Sequence, residues 1–295
     1  MLQPQRWSRA VIAFAVAMML CAPMVRAEGQ GSALSVSGGF DFVDKYFFRG
    51  IIVQNQGLMV QPYLDVNVDL GGVQEGLSMV VGTWHHVSES NTPANIGSSA
   101  HQEFDWYVGL SMPLADNVEG SLTYTEYSVP AGGATVDEIS FGVSLDDSEA
   151  FGGMGLSPYL LIAVELNGGA DGGFATGGES GIYLELGIEP TFELVQSETN
   201  PIDLAIPIVV GLSLDDYFET TAPTTPGNAT PDDETLGFIS VSLVCSTPFH
   251  WIPEEYGAWT LSAGIEFLFL GDNNEDMNGG EDSEINVSIG LSFEQ

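Results

Sequence analysis

Carboxylates recur among the polar residues that occupy every second position in many segments of this chain, the spacing that places them on one face of an extended strand. Asp41, Asp65, Asp69, Glu103, Asp105, Glu165, Glu185 and Glu266 all fall on the polar side of such segments. Acidic side chains gathered around an aqueous bore select cations, so these residues are candidate pore-lining groups. The opposing cations are few. Residues 1–27 hold Arg6, Arg9 and Arg26 and no acid, which leaves Lys45 and Arg49 as the basic residues of the remainder, against forty-one Asp and Glu. Lys45 and Arg49 continue the odd-numbered polar series of the first segment, and are expected to point into the same bore near its outer end, paired with neighbouring carboxylates. A balance this acidic excludes nucleic acid and anionic lipid as electrostatic partners.

Two further constellations bear on metals. Asp272, Asn274, Asp276, Asn278 and Asp282 place oxygen ligands at alternate positions, as Ca²⁺ loops do, but Met277 stands where an EF-hand needs Gly and Ser283 where it needs Glu. A weak Ca²⁺ site in this acidic loop is therefore an expectation, and it is the one candidate for a bound cofactor. His85, His86 and His101 flank a neighbouring connection with nothing in the sequence to fix their geometry. Catalysis has no signature: there is no Gly-x-Ser-x-Gly elbow, no His-Glu-x-x-His and no phosphate-binding glycine loop. The expected function is not enzymatic.

The elements that must carry the carboxylates are strands. Phe104, Trp106, Val108, Leu110 and Met112 alternate with Glu103, Asp105, Tyr107, Gly109 and Ser111, and Ile285, Val287, Ile289, Leu291 and Phe293 alternate with Asn286, Ser288, Gly290 and Ser292. About twelve such segments begin near residues 34, 58, 77, 102, 118, 136, 156, 181, 202, 235, 257 and 284. Most are long enough to cross a bilayer as tilted strands of roughly 9–11 residues. The fold expected is all-β, an antiparallel transmembrane β-barrel of about twelve strands with apolar residues outward and polar residues inward. The alternative is a soluble secreted β-sandwich, which also alternates. Connections 44–57, 87–101, 167–180, 215–234 and 271–283 read as long external loops, and 71–76 and 115–117 as tight periplasmic turns. Trp84, Trp106, Tyr124, Trp259, Phe269 and Phe293 read as interface girdles. Pro62, Pro158 and Pro207 sit where a strand would lose a ladder hydrogen bond, at a rim or bulge. Inward glycines such as Gly39, Gly82, Gly109, Gly142, Gly187, Gly211 and Gly264 suggest open volume.

The first 27 residues read as a secretory signal: a basic start at Arg6 and Arg9, an apolar stretch from Ala10 to Met24, and Val25-Arg26-Ala27 at the cleavage site. Residues 28–295 then form one barrel domain with Cys245 as its single cysteine, so no intrachain disulfide supports it. The expected location is the bacterial outer membrane, with both termini periplasmic.

The segment Tyr46-Phe47-Phe48-Arg49-Gly50-Ile51, followed by Gln61-Pro62-Tyr63-Leu64-Asp65, resembles the opening signature of the TorF family of outer-membrane porins, with the match covering about residues 40–69. The resemblance implies a porin without catalytic residues. The chain departs from the pattern in its acidity and in ending Phe293-Glu294-Gln295 where a terminal aromatic is usual. Taken together, these features predict a porin-like channel for passive diffusion of small solutes that prefers cations. The partners expected are outer-membrane lipids and the barrel assembly machinery. A plugged structural or surface-binding barrel with Ca²⁺-binding loops is the alternative.

Overall fold

The computed structural model describes residues 33–89, 101–129, 134–148, 155–167, 180–220 and 232–295. Residues 1–32, which include the expected leader, and much of several long connections fall outside them. Eighteen strands occur in chain order: β1 Leu34–Val43, β2 Tyr46–Phe48, β3 Ile51–Gln54, β4 Met59–Asp69, β5 Ser78–Ser88, β6 His101–Ala115, β7 Val118–Val129, β8 Ala134–Leu145, β9 Tyr159–Asn167, β10 Ile182–Ile188, β11 Thr191–Val195, β12 Ile202–Ala205, β13 Ile208–Asp215, β14 Glu219–Thr220, β15 Asp232–Asp233, β16 Leu236–Pro248, β17 Ala258–Leu270 and β18 Ser283–Glu294. A short helix, α1, spans Asp272–Met277.

Four of these strands are halves of two longer ones. Pro190 interrupts β10 and β11, and Pro207 interrupts β12 and β13. In each case the missing proline N–H breaks the strand without ending it. With these halves joined, twelve antiparallel strands run as neighbours around one wall. β18 closes the wall on β1, with Ser37 opposite Glu294 and Val43 opposite Ser288. Closure removes the exposed edges that a sandwich would leave, so the transmembrane barrel stands and the sandwich falls.

The twelve starts expected from alternation match the observed ones to within a few residues. Thr191–Val195 continues the wall beyond Pro190 by pairing with β12. One expectation shifts. Pro62 lies inside β4, opposite Phe40 of β1, while the β4–β5 pairing skips Gln61 and Pro62.

Each strand presents apolar side chains outward. Phe42, Leu64, Val81, Leu110, Leu122, Phe141, Leu186, Leu243, Phe269 and Ile289 are all exposed on the outer surface. Ionisable groups are instead buried on the inner face, the inverse of a soluble protein and the arrangement that lipid requires. The start of β1, the C-terminus and the connections 70–77, 116–117, 196–201 and 249–257 gather at one rim. At the terminal rim, Val36 and Gln295 exchange backbone hydrogen bonds of 2.8 and 2.9 Å, which pins the C-terminus to β1.

Candidate functional site in the barrel lumen

The connection after β1 does not project outward as expected. It turns back into the barrel as the hairpin β2–β3, whose turn is Arg49 and Gly50, both at positive φ (48° and 81°). Glycine adopts that conformation freely, and a side chain there would also collide with Asn274 and Phe238. The sequence offers a reason for the inward fold. Tyr46, Phe47, Phe48, Ile51, Ile52 and Val53 form an apolar loop that water would not solvate. Inside the barrel, Tyr46 and Phe48 join Met59, Tyr63, Trp84, Tyr127 and Val136 in one buried cluster. Ile51 joins Leu161, Ala163, Tyr183, Tyr217, Phe218 and Phe238 in a second. The first cluster draws on β4, β5, β7 and β8 and the second on β9, β10 and β16, so the hairpin packs against both halves of the wall.

Arg49 is at the turn of that hairpin. Its guanidinium forms a two-pronged pair with Glu138 of β8, at 2.7 and 2.9 Å, and donates at 2.6 Å to the Tyr217 hydroxyl. The Tyr183 ring lies 4.1 Å from the guanidinium carbon. β8 is five strands from β1 in one direction around the wall and seven in the other, so the pair crosses nearly the full bore. Burial opposes charge on Arg49, yet Glu138, Tyr217 and Tyr127 outweigh it and raise its pKa, so the side chain stays cationic. Lys45, just before the hairpin, pairs with Glu284 of β18. Both cations are therefore matched to carboxylates, as the sequence suggested, but Arg49 gets there on a hairpin and not by extension of β1.

The far rim supplies further anchors. Asn278 donates to the Gly50 carbonyl at 2.7 Å and accepts from the Ile52 N–H at 2.6 Å. Asn274 donates to the Arg49 carbonyl at 3.2 Å. Four residues apart, they share one face around α1. The alternate-position pattern from Asp272 to Asp282 thus forms a helix whose two asparagines grip the hairpin, instead of an extended loop of converging ligands. Among the described residues, no group of three or more His, Cys, Asp or Glu side chains is placed to hold a metal.

Of the other candidate residues, all but Asp69 lie on the inner face. Asp41, Glu103, Asp105, Glu165, Glu185 and Glu266 are buried on the inner face and Asp65 is half-buried there, whereas Asp69 is exposed at the terminal rim. Glu185 accepts from Tyr159 (2.8 Å) and Tyr183 (2.6 Å). Glu266 accepts from Ser240 at 2.5 Å, and Asp65 from Tyr107. The inner glycines open less volume than their number suggests, because the rings of Tyr107, Tyr159 and Phe238 lie against Gly82, Gly187 and Gly211.

The three histidines divide between the faces. His85 and His101 meet on the outer face at 3.0 Å, beside Phe104. His86 points inward, 3.0 Å from the Gln54 side chain of β3, with its ring 4.7 Å from that of Tyr46. Trp84 also points inward and is buried against Tyr46, so it is not a girdle residue. Sequence reading missed Glu138, Tyr183 and Tyr217 as partners of Arg49. Glu138 was readable as an inward-register acid and Tyr217 as an aromatic in the polar stretch Asp215-Asp216-Tyr217-Phe218, but the pairing spans 89 and 168 positions.

No family model matches the chain, and no curated protein matches it. Among solved structures, it is similar to the NanC porin, with 14% identity and a TM-score of 0.40 over 88% of this chain and 99% of that one. It is similar also to LpxR from Salmonella typhimurium, with 10% identity and a TM-score of 0.45 over 88% and 99%. A third is the COG4313 outer membrane channel from Pseudomonas putida F1, with 9% identity and a TM-score of 0.43 over 89% and 94%. These similarities are weak, and the barrel assignment rests on the strand pairing.

Proposed function

We propose that the chain is a porin-like channel of the bacterial outer membrane whose acidic bore favours cations and whose inward hairpin narrows it. Both termini are then periplasmic, the leader is removed near Ala27, and the partners are outer-membrane lipids, the assembly machinery and small solutes. One observation carries the reading. The inner wall presents Asp41, Asp65, Glu103, Asp105, Glu185 and Glu266, and the described Lys45 and Arg49 are both already committed to other carboxylates. The field left in the bore is negative and attracts cations. The segment that resembles the TorF signature is the one that folds into the bore, so membership of that family belongs to the same proposal.

The inward hairpin favours a second reading, in which the barrel is closed and serves a structural or surface-binding role. Planar-bilayer recording of the refolded mature protein under a salt gradient separates the two. Conductance steps with a reversal potential on the cation-selective side support the channel. Silence from a barrel shown to be folded and inserted supports the closed reading, and anion selectivity contradicts both the sign and the logic of the lining.

A further inference from the structure

Two histidines meet on the outer face of the barrel, and a break in strand register brings them together. In the β5–β6 ladder His85 lies opposite Phe104 and His86 opposite Glu103, but the next pair is Val87 with His101, so Gln102 is an extra residue in β6. Without that bulge His101 would share the inward register of Glu103 and Asp105. With it the side chain is re-aimed outward, and His101 Nε2 stands 3.0 Å from His85 Nδ1. The Phe104 ring backs both imidazoles, 5.0 Å from that of His85 and 6.3 Å from that of His101. Both histidines are half-buried at the far rim, where β5 ends at Ser88 and β6 begins. His86 is not a third member of the group. It points inward, with one ring nitrogen 3.0 Å from Gln54 and the other 3.5 Å from Gln61.

We propose that His85 and His101 chelate one divalent transition-metal ion of the kind imidazole prefers, Zn²⁺ or Cu²⁺, through His85 Nδ1 and His101 Nε2. As the rings stand, one of the facing nitrogens donates its N–H to the other. A neutral imidazole carries its proton on either nitrogen, so moving that proton to the far side of its own ring leaves two lone pairs facing one point. Metal–imidazole bonds of about 2.0–2.1 Å set two such nitrogens about 2.9 Å apart at a square-planar corner and about 3.3 Å apart on a tetrahedral ion. The observed 3.0 Å lies within that span, so the rings shift by no more than a few tenths of an ångström. A pair of nitrogen donors suits this class of ion and not Ca²⁺ or Mg²⁺. The paired ladder holds the two ligands at a fixed separation, so the second bond costs little further ordering, and water fills the remaining positions. The ion clips the ends of β5 and β6 together at the far rim. The site faces away from the bore, so it does not depend on whether the barrel conducts.

The refolded mature barrel in detergent is titrated calorimetrically with Zn²⁺, in excess Mg²⁺ to occupy the many carboxylates, beside His85→Gln, His101→Gln and His250→Gln, the last an exposed residue at the opposite rim. The proposal expects one saturable Zn²⁺ site per barrel in the parent and in His250→Gln, and an affinity lower by about tenfold or more in each of the other two variants. His250→Gln loaded with one equivalent of Cu²⁺ is expected to show two imidazole nitrogens in its electron paramagnetic resonance spectrum, and His86 is then the one other histidine outside the leader. Equal Zn²⁺ affinity in all four proteins would overturn the proposal. So would a parent with no saturable Zn²⁺ site, or a Cu²⁺ spectrum with fewer than two imidazole nitrogens. Heat-modifiable migration confirms folding of each variant. If His85→Gln or His101→Gln fails that check, the nitrogen count in His250→Gln decides, because that protein keeps the β5–β6 pair intact.

Discussion

Arg49 is buried and doubly bonded to Glu138, and that pair fixes where the hairpin ends. A buried ion pair adds little net stability over a well-packed apolar pair, but removal of one partner strands the other charge. Arg49→Met is therefore expected to lower stability by about 3–5 kcal/mol, read as a drop in the urea midpoint of the folded barrel. Arg49→Met/Glu138→Gln is expected to recover much of that loss, since no lone charge remains. If the double variant is as unstable as the sum of its singles, the two residues do not act as a pair.

The hairpin is an element held at three places: its aromatic edge by Trp84 and Tyr127, its apolar edge by Phe238, and its turn by α1. Asn278 makes two of the bonds at the turn. Asn278→Ala leaves the Gly50 carbonyl and the Ile52 N–H to find water, at about 1–3 kcal/mol for each buried group left unsatisfied. Faster hydrogen exchange at Ile52 and Val53, with the wall strands unchanged, is the expected result. Exchange that accelerates through the whole barrel would mean that the hairpin is not a separate unit. At this scale the sequence was unevenly legible. The wall strands were readable because alternation is a local signal of period two, and β6 and β18 keep it over their full length. The hairpin was misplaced because connection length alone assigns a loop to the outside. Its apolar content was visible, yet its partners on β5, β8 and β10 come together only once the barrel closes. Trp84 was misassigned for the same reason: an aromatic near a strand end suits a girdle and a plug contact equally well, and the register decides.

For the whole molecule, charge and closure set the behaviour. The wall pairs the backbone of every spanning strand, so a bilayer tolerates it, and it segregates apolar side chains outward from carboxylates inward. Selectivity from such a lining is electrostatic, so it is expected to fade as salt rises from 0.1 M towards 1 M, where the screening length shrinks from about 10 to about 3 Å. A selectivity indifferent to salt would point to size and not charge. The barrel and the placement of its inward acids could be read from sequence because both follow from one period. How far the bore is filled could not, because it depends on contacts between segments tens to hundreds of residues apart.

The central claim is that an acidic, cation-preferring bore is narrowed by the inward hairpin. Its most direct test is single-channel recording of the parent beside a variant in which residues 46–54 are replaced by a short Gly/Ser link. A larger conductance in the variant, with the reversal potential still on the cation side, is the predicted result. An inserted, folded variant that conducts no better than the parent, or that passes anions in preference, would contradict it.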